Sequence, residues 1–161
     1  MPSASLQVMS LLVRIARRVG TDLDREFADL GLTSQQAAVL LNVHVGHTTP
    51  QALSRVLAID AGGMTRLVDR LVDRGLVDRV PSTTDRRVVT IVLTEQGRTI
   101  APGLPERYET VARRLTRPLE GDDLANLLSW LGPLAPSAGP SVDSAQARRG
   151  IQHHDSEESS P

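Results

Sequence analysis

The sequence has no cysteine and no lysine. The first absence excludes a disulfide framework, a cysteine-ligated zinc site and a thiol redox switch. The second leaves arginine as the whole basic complement, 18 side chains against 19 acidic ones. Arginine's fork suits phosphates and guanine edges, although a coding bias toward arginine produces the same composition. Aromatic residues are scarce: Phe27, Tyr108 and Trp130 are the full set. That is too few for the stacking platform that single-strand binders use. No apolar run approaches the roughly 20 residues that a membrane span needs, and the first six residues lack the basic start and apolar run of a secretory signal. The expected location is cytoplasmic. There is no Gly-rich phosphate loop, no G-x-S-x-G elbow and no H-E-x-x-H helix, so no enzymatic signature is present.

What remains is 161 residues, 40% of them apolar, enough for one domain with its own core. The net charge of −1 hides an asymmetry. Residues 1–118 hold 16 arginines against 12 acids, a net of +4, whereas residues 119–161 hold 2 against 7, a net of −5. From about residue 135 the composition turns to Pro, Ser, Gly, Asp and Glu. Residues 136–161 cannot bury enough surface to offset their ordering entropy, so they are expected to form a disordered acidic tail. His153-His154 lies in that tail, which offers a metal no preset geometry.

Apolar residues from Val8 to Leu30 recur every three to four positions, predicting one long amphipathic helix over 6–30. Thr33 and Gln36 have the spacing of a capping box for a second helix over 37–45. Thr49-Pro50 starts a third, a cap followed by proline at the first helical position. Asp60 caps a fourth, whose Met64, Leu67, Val68 and Leu71 form an inner stripe; Gly75 stops it. Two β-branched runs, 76–80 and 88–93, flank the polar turn 81–87 and read as a hairpin. Thr94 caps a fifth helix. Pro102, Gly103 and Pro105 predict a kink or break near 101–105, with helix resuming over 106–116. A last helix over 121–131 aligns Leu124, Leu127, Leu128 and Leu131.

Short helices followed by a hairpin make a winged helix-turn-helix pattern, in which the second helix of the pair enters the major groove by its N-terminal end. The outer face of the fourth helix fits that task. Gly62 and Gly63 permit close approach, Thr65 and Arg66 can reach base edges, and Asp69 and Arg70 follow on the same side. The hairpin tip carries Asp85-Arg86-Arg87, two adjacent arginines suited to a narrow minor groove. Asp85 can orient Arg87. A solvated tip with a weak surface ion pair is the alternative reading of these three residues alone.

Residues 60–71, followed by Arg74-Gly75-Leu76-Val77-Asp78-Arg79, closely resemble the recognition-helix region of the MarR (multiple antibiotic resistance regulator) family. Asp85, Arg87, Leu93, Thr94 and Gly97 are similar to that family's wing motif, D-x-R-x5-L-T-x2-G. The resemblance spans about residues 5–134. It implies a mainly α fold with a small β-hairpin wing: a DNA-binding core over about 33–97, and dimerisation helices over about 5–30 and 98–134 within a domain of residues 1–135. It implies a homodimeric, nucleoid-associated transcriptional regulator of double-stranded DNA, a repressor reading a pseudo-palindromic operator. By matching position, Thr65, Arg66 and Arg70 become base or backbone contacts, Arg87 the minor-groove arginine, Asp85 its partner, and Arg86 a phosphate contact. A small phenolic or carboxylate effector would sit at Pro50, Leu67, Arg70 and Arg79, two arginines beside an apolar wall; both arginines facing DNA or solvent is the competing reading. No cofactor is implied. Two departures stand out: the proline-rich stretch 101–105 puts dimer geometry in question, and the lack of cysteine closes the peroxide-sensing mode of some relatives. The alternatives are a winged-helix module that binds protein, or a metal-sensing regulator using His44 and His47. For the latter pair, a surface or helix-end role is the plainer reading.

Overall fold

A computed structural model describes residues 3–81 and 88–135. Chain order is α1 (Ala4–Glu26), a 3-10 turn (Ala28–Leu30), α2 (Ser34–His44), α3 (Pro50–Leu57), α4 (Ala61–Asp73), β1 (Val77–Pro81), β2 (Val89–Leu93), α5 (Glu95–Ile100), a 3-10 turn (Ala101–Gly103), α6 (Leu104–Thr116), α7 (Asp123–Leu131) and a final 3-10 turn (Gly132–Leu134). The strands pair antiparallel, Val77 opposite Leu93 and Pro81 opposite Val89. The Ile91 N–H also donates to the Thr48 carbonyl at 2.7 Å, adding one rung between β2 and the stretch before α3. The expected tail (136–161) and the hairpin tip lie outside the described residues.

Local capping explains most boundaries. Thr33 Oγ1 accepts from the Gln36 N–H, and Gln36 Oε1 accepts from the Thr33 N–H, a complete capping box. Thr49, Asp60 and Thr94 cap α3, α4 and α5 through the N–H groups of Ala52, Gly63 and Gly97. Each cap satisfies a helix-end donor and contributes about 1 kcal/mol. The core gathers Phe27, Leu40, Leu53, Met64, Leu71, Leu76, Ile91 and Leu104, all fully buried. Burial of one such side chain is worth about 1.5–3 kcal/mol.

One expectation needs correction. The first helix does not run through residue 30; it ends at Glu26. Phe27 leaves the helical path at ψ 1° and is fully buried, edge-on to Tyr108 with centroids 5.0 Å apart. Gly31, at φ +63°, then turns the chain into α2. The prolines interrupt the helix where expected: α5 stops at Ile100 and a 3-10 turn covers Ala101–Gly103. Ile100, Ala101 and Leu104 all keep right-handed helical dihedrals, and α6 resumes at Leu104 rather than 106. Pro102 and Pro105 each stand at the start of a helical turn, where the missing N–H has no partner to lose. Buried Ala101 and Leu104 hold that stretch against the core.

No residue of α1 or α7 is buried. Leu11 and Ile15 on α1, and Leu128 and Trp130 on α7, lie exposed. Both helices therefore present apolar faces that no element among the described residues covers.

Candidate nucleic-acid interface

The interface begins with the turn between α3 and α4. Ala58 closes α3 in the left-handed region, φ 51° and ψ 41°, and its N–H returns to the Ser54 carbonyl. Asp60 then caps α4, accepting from the Gly63 N–H at 2.8 Å. That hydrogen bond, with the Arg66 guanidinium nearby, holds the Asp60 carboxyl below its ordinary range. The ionised cap carboxylate thus satisfies first-turn N–H groups of α4 and complements its dipole.

Met64, Leu67, Val68 and Leu71 face the core, as their spacing predicts. The opposite face exposes Ala61, Gly62, Thr65, Arg66 and Arg70, with Asp69 half-buried beside them. Thr65 Oγ1 donates to the Ala61 carbonyl at 2.8 Å, so its oxygen lone pairs stay available. Arg70 Nε donates to the Arg66 carbonyl at 3.2 Å. The result is a slim, small-residue helix start followed by two guanidinium groups.

The two glycines play different parts. At Gly62 an added Cβ would meet only the Asp60 and Arg66 side chains. At Gly63 it would stand 3.0 Å from Ile59 Cγ2 and 3.2 Å from the Asp60 carboxylate. Gly63 thus serves the tight turn between the two helices.

The residues expected to hold an effector are unevenly disposed. Leu67 is committed to the core, Pro50 is half-buried at the start of α3, and Arg70 is exposed. Arg79, on β1, is ion-paired to Asp69 of α4 at 2.6 Å. A carboxylate ligand at Arg79 would therefore compete with Asp69. The same pair ties the hairpin to α4. Asp85, Arg86 and Arg87 lie outside the described residues. Among the described residues no group of three or more His, Asp or Glu side chains could hold a metal ion, and His44 is exposed at the end of α2.

Sequence reasoning missed three features of the surrounding frame. Gly97 is buried, and a Cβ there would stand 2.1 Å from the Leu76 carbonyl oxygen; the motif glycine is a steric necessity at the hairpin's base. Arg74 donates to the Leu30 and Gly31 carbonyls. Arg107 of α6 donates to both Asp29 oxygens at 2.7 Å each. Only the glycine left a signal in the sequence, its fixed place after Leu93-Thr94.

Comparison with known proteins places this geometry. The sequence pattern describing the MarR family matches residues 30–88. The multiple antibiotic resistance protein MarR of Salmonella typhimurium is 33% identical over 116 residues, covering 71% of this chain and 81% of that protein. The MarR protein of Escherichia coli K12 matches to the same extent. Among solved structures, a cysteine-to-serine mutant of MarR from E. coli complexed with operator DNA superposes with a TM-score of 0.74 at 30% identity, covering 81% of this chain and 94% of that one. The reduced form of the E. coli protein gives a TM-score of 0.70 at 28% identity, covering 84% and 98%.

Proposed function

Because the chain belongs to the MarR family of transcriptional regulators, we propose that it binds operator DNA as a homodimer and represses transcription until a small phenolic or carboxylate ligand releases it. One observation carries the reading: the small-then-basic outer face of α4, seated beside the hairpin in a fold shared with a relative bound to operator DNA. Residues 33–97 read the duplex, and residues 5–30 and 98–134 associate with the second copy. The unpartnered apolar faces of α1 and α7 favour that association. Two recognition helices related by a two-fold axis then meet successive major grooves, about 34–36 Å apart.

Thr65, Arg66 and Arg70 are assigned to bases and backbone, Arg87 to the minor groove with Asp85 as its partner, and Arg86 to phosphate. Gly62 lets the backbone come close. The effector acts at Arg70 and Arg79, displacing Asp69 from Arg79 and loosening the hairpin from α4. The protein acts in the cytoplasm, on the nucleoid, and performs no catalysis.

The test is selection of bound duplexes from a random pool by the full chain, with and without phenolic acids. A pseudo-palindromic consensus lost on adding the acid supports the whole reading. A monomer in solution, or no preference among duplexes at moderate salt, refutes it.

A further inference from the structure

We infer that Arg74 is a positioning residue that sets the separation of the two recognition helices, by fastening the end of α4 to the joint between α1 and α2. The inference rests on the dimeric, operator-binding reading above. Arg74 follows α4 directly, and its guanidinium reaches across 43 residues of sequence to donate to the Gly31 carbonyl, and to the Leu30 carbonyl at 2.9 Å. A Cβ built on Gly31 would stand 3.1 Å from Arg74 Nη2, so the fork lies close over that turn.

The same short joint is also held by α6. Arg107 holds the Asp29 carboxylate with two bonds of 2.7 Å and donates to the Glu26 carbonyl at 2.7 Å. Arg114 reaches the Glu26 carboxylate at 2.7 Å. The Tyr108 hydroxyl donates to the Ser34 carbonyl at 3.2 Å, with its ring edge-on to Phe27. Residues 26–34 are therefore bonded both to α6, in the proposed dimer unit, and to the end of the recognition helix. Two forked guanidinium groups, one from the end of α4 and one from α6, fix orientation as well as distance, which a single point charge does not. The operator makes that orientation matter. Lengthening the spacer by one base pair moves a half-site by about 3.4 Å and turns it by roughly 34°.

The experiment uses the full chain and the operator recovered by selection. Duplexes are made with the half-sites at the selected separation, one base pair closer and one base pair farther, together with a duplex holding one half-site. Anisotropy titrations compare the unmodified protein with Arg74→Gln, Arg74→Lys and Asp29→Asn. Arg74→Gln should lose about tenfold on the selected operator, a usual coupling between distant sites, with the single half-site bound within about twofold of normal. Its preference among the three spacings should flatten, and Arg74→Lys should fall between. Asp29→Asn, which loosens the joint from the α6 side, should flatten the preference too, and it keeps the test alive if Arg74→Gln does not fold. Unchanged spacing preference in the folded variants, or equal losses on half-site and full operator, overturns the inference while leaving operator binding intact. No specific binding by the unmodified protein overturns the functional reading and this inference with it.

Discussion

Gly97→Ala should destabilise this protein, whereas the same substitution at Gly103 should not. The added methyl at position 97 would stand 2.1 Å from the Leu76 carbonyl oxygen, a backbone atom that cannot swing aside. Relief requires α5 to withdraw from β1 by roughly 1 Å, given ordinary carbon–oxygen contact near 3.3 Å. That movement strains the Thr94 N–H bond to the Leu76 carbonyl (3.2 Å), the Thr94 hydroxyl bond to the Gly75 carbonyl (2.7 Å) and the cap from Gly97 N–H to Thr94 Oγ1 (3.1 Å). At about 1 kcal/mol per hydrogen bond, less the roughly 0.5–1 kcal/mol that alanine gains over glycine within a helix, the net loss is about 2–2.5 kcal/mol. For a chain of this size that lowers Tm by about 4–10 °C. Gly103 meets nothing within 4 Å and has φ −84° and ψ −12°, a conformation alanine adopts freely. Gly103→Ala should be neutral or stabilise by up to about 1 kcal/mol, through the unfolded chain. Urea and thermal unfolding at fixed protein concentration measure both, since association couples to stability. Equal Tm values for the two variants, or a Gly97→Ala protein as stable as the parent, would refute the steric argument.

Ala58→Gly relieves a left-handed alanine, φ 51°; the strain of about 1–2 kcal/mol outweighs the flexibility cost of glycine, so urea titration should show a gain of about 0.5–1 kcal/mol. The Arg107 hydrogen bonds hold Asp29 below its ordinary value of 3.8; the ionised form is favoured in the fold, so its contribution is present above pH 4 and fades as pH falls below it. Thermal scans between pH 6 and pH 3 should show a smaller fall for Asp29→Asn than for the parent. Burial raises the Tyr108 hydroxyl above its ordinary 10.0, so the neutral phenol stabilises below pH 10 and that share is lost above it; Tyr108→Phe should blunt the alkaline loss in the same assay. Arg87→Ala should weaken operator binding strongly with the dimer still folded, checked by salt-controlled titration. Arg66→Ala should relax specificity at one base position, whereas Arg86→Ala should weaken all sequences alike and flatten the salt dependence; identical behaviour across a randomised operator library would sink the assignment.

Features encoded within a few residues were legible in advance. The Thr33–Gln36 box, the caps at Thr49, Asp60 and Thr94, and the α4 stripe all follow from side chains three or four positions apart. The end of α1 was not, because Phe27 fits the helical period and leaves the helix only to meet Tyr108, 81 positions on. The proline stretch, by contrast, was legible as an interruption: a 3-10 turn over Ala101–Gly103 separates α5 from α6. What propensity did not show is how short the interruption is: Ala101 and Leu104 are buried, and each proline falls at a turn start that tolerates it. At the interface, the exposed face of α4 was readable from its composition. The Asp69–Arg79 pair and the clasp of Arg74 were not, since each joins elements that only the tertiary fold brings together.

The rung from Ile91 to Thr48 joins the middle of β2 to the ground on which α3 stands. Hairpin and helix pair consequently share one chassis, like the jaws of a caliper fixed to a common bar. Under the proposed operator-binding reading, a duplex whose grooves depart from the width that the bar dictates would have to deform to be gripped, and its stiffness would then enter the recognition of sequence.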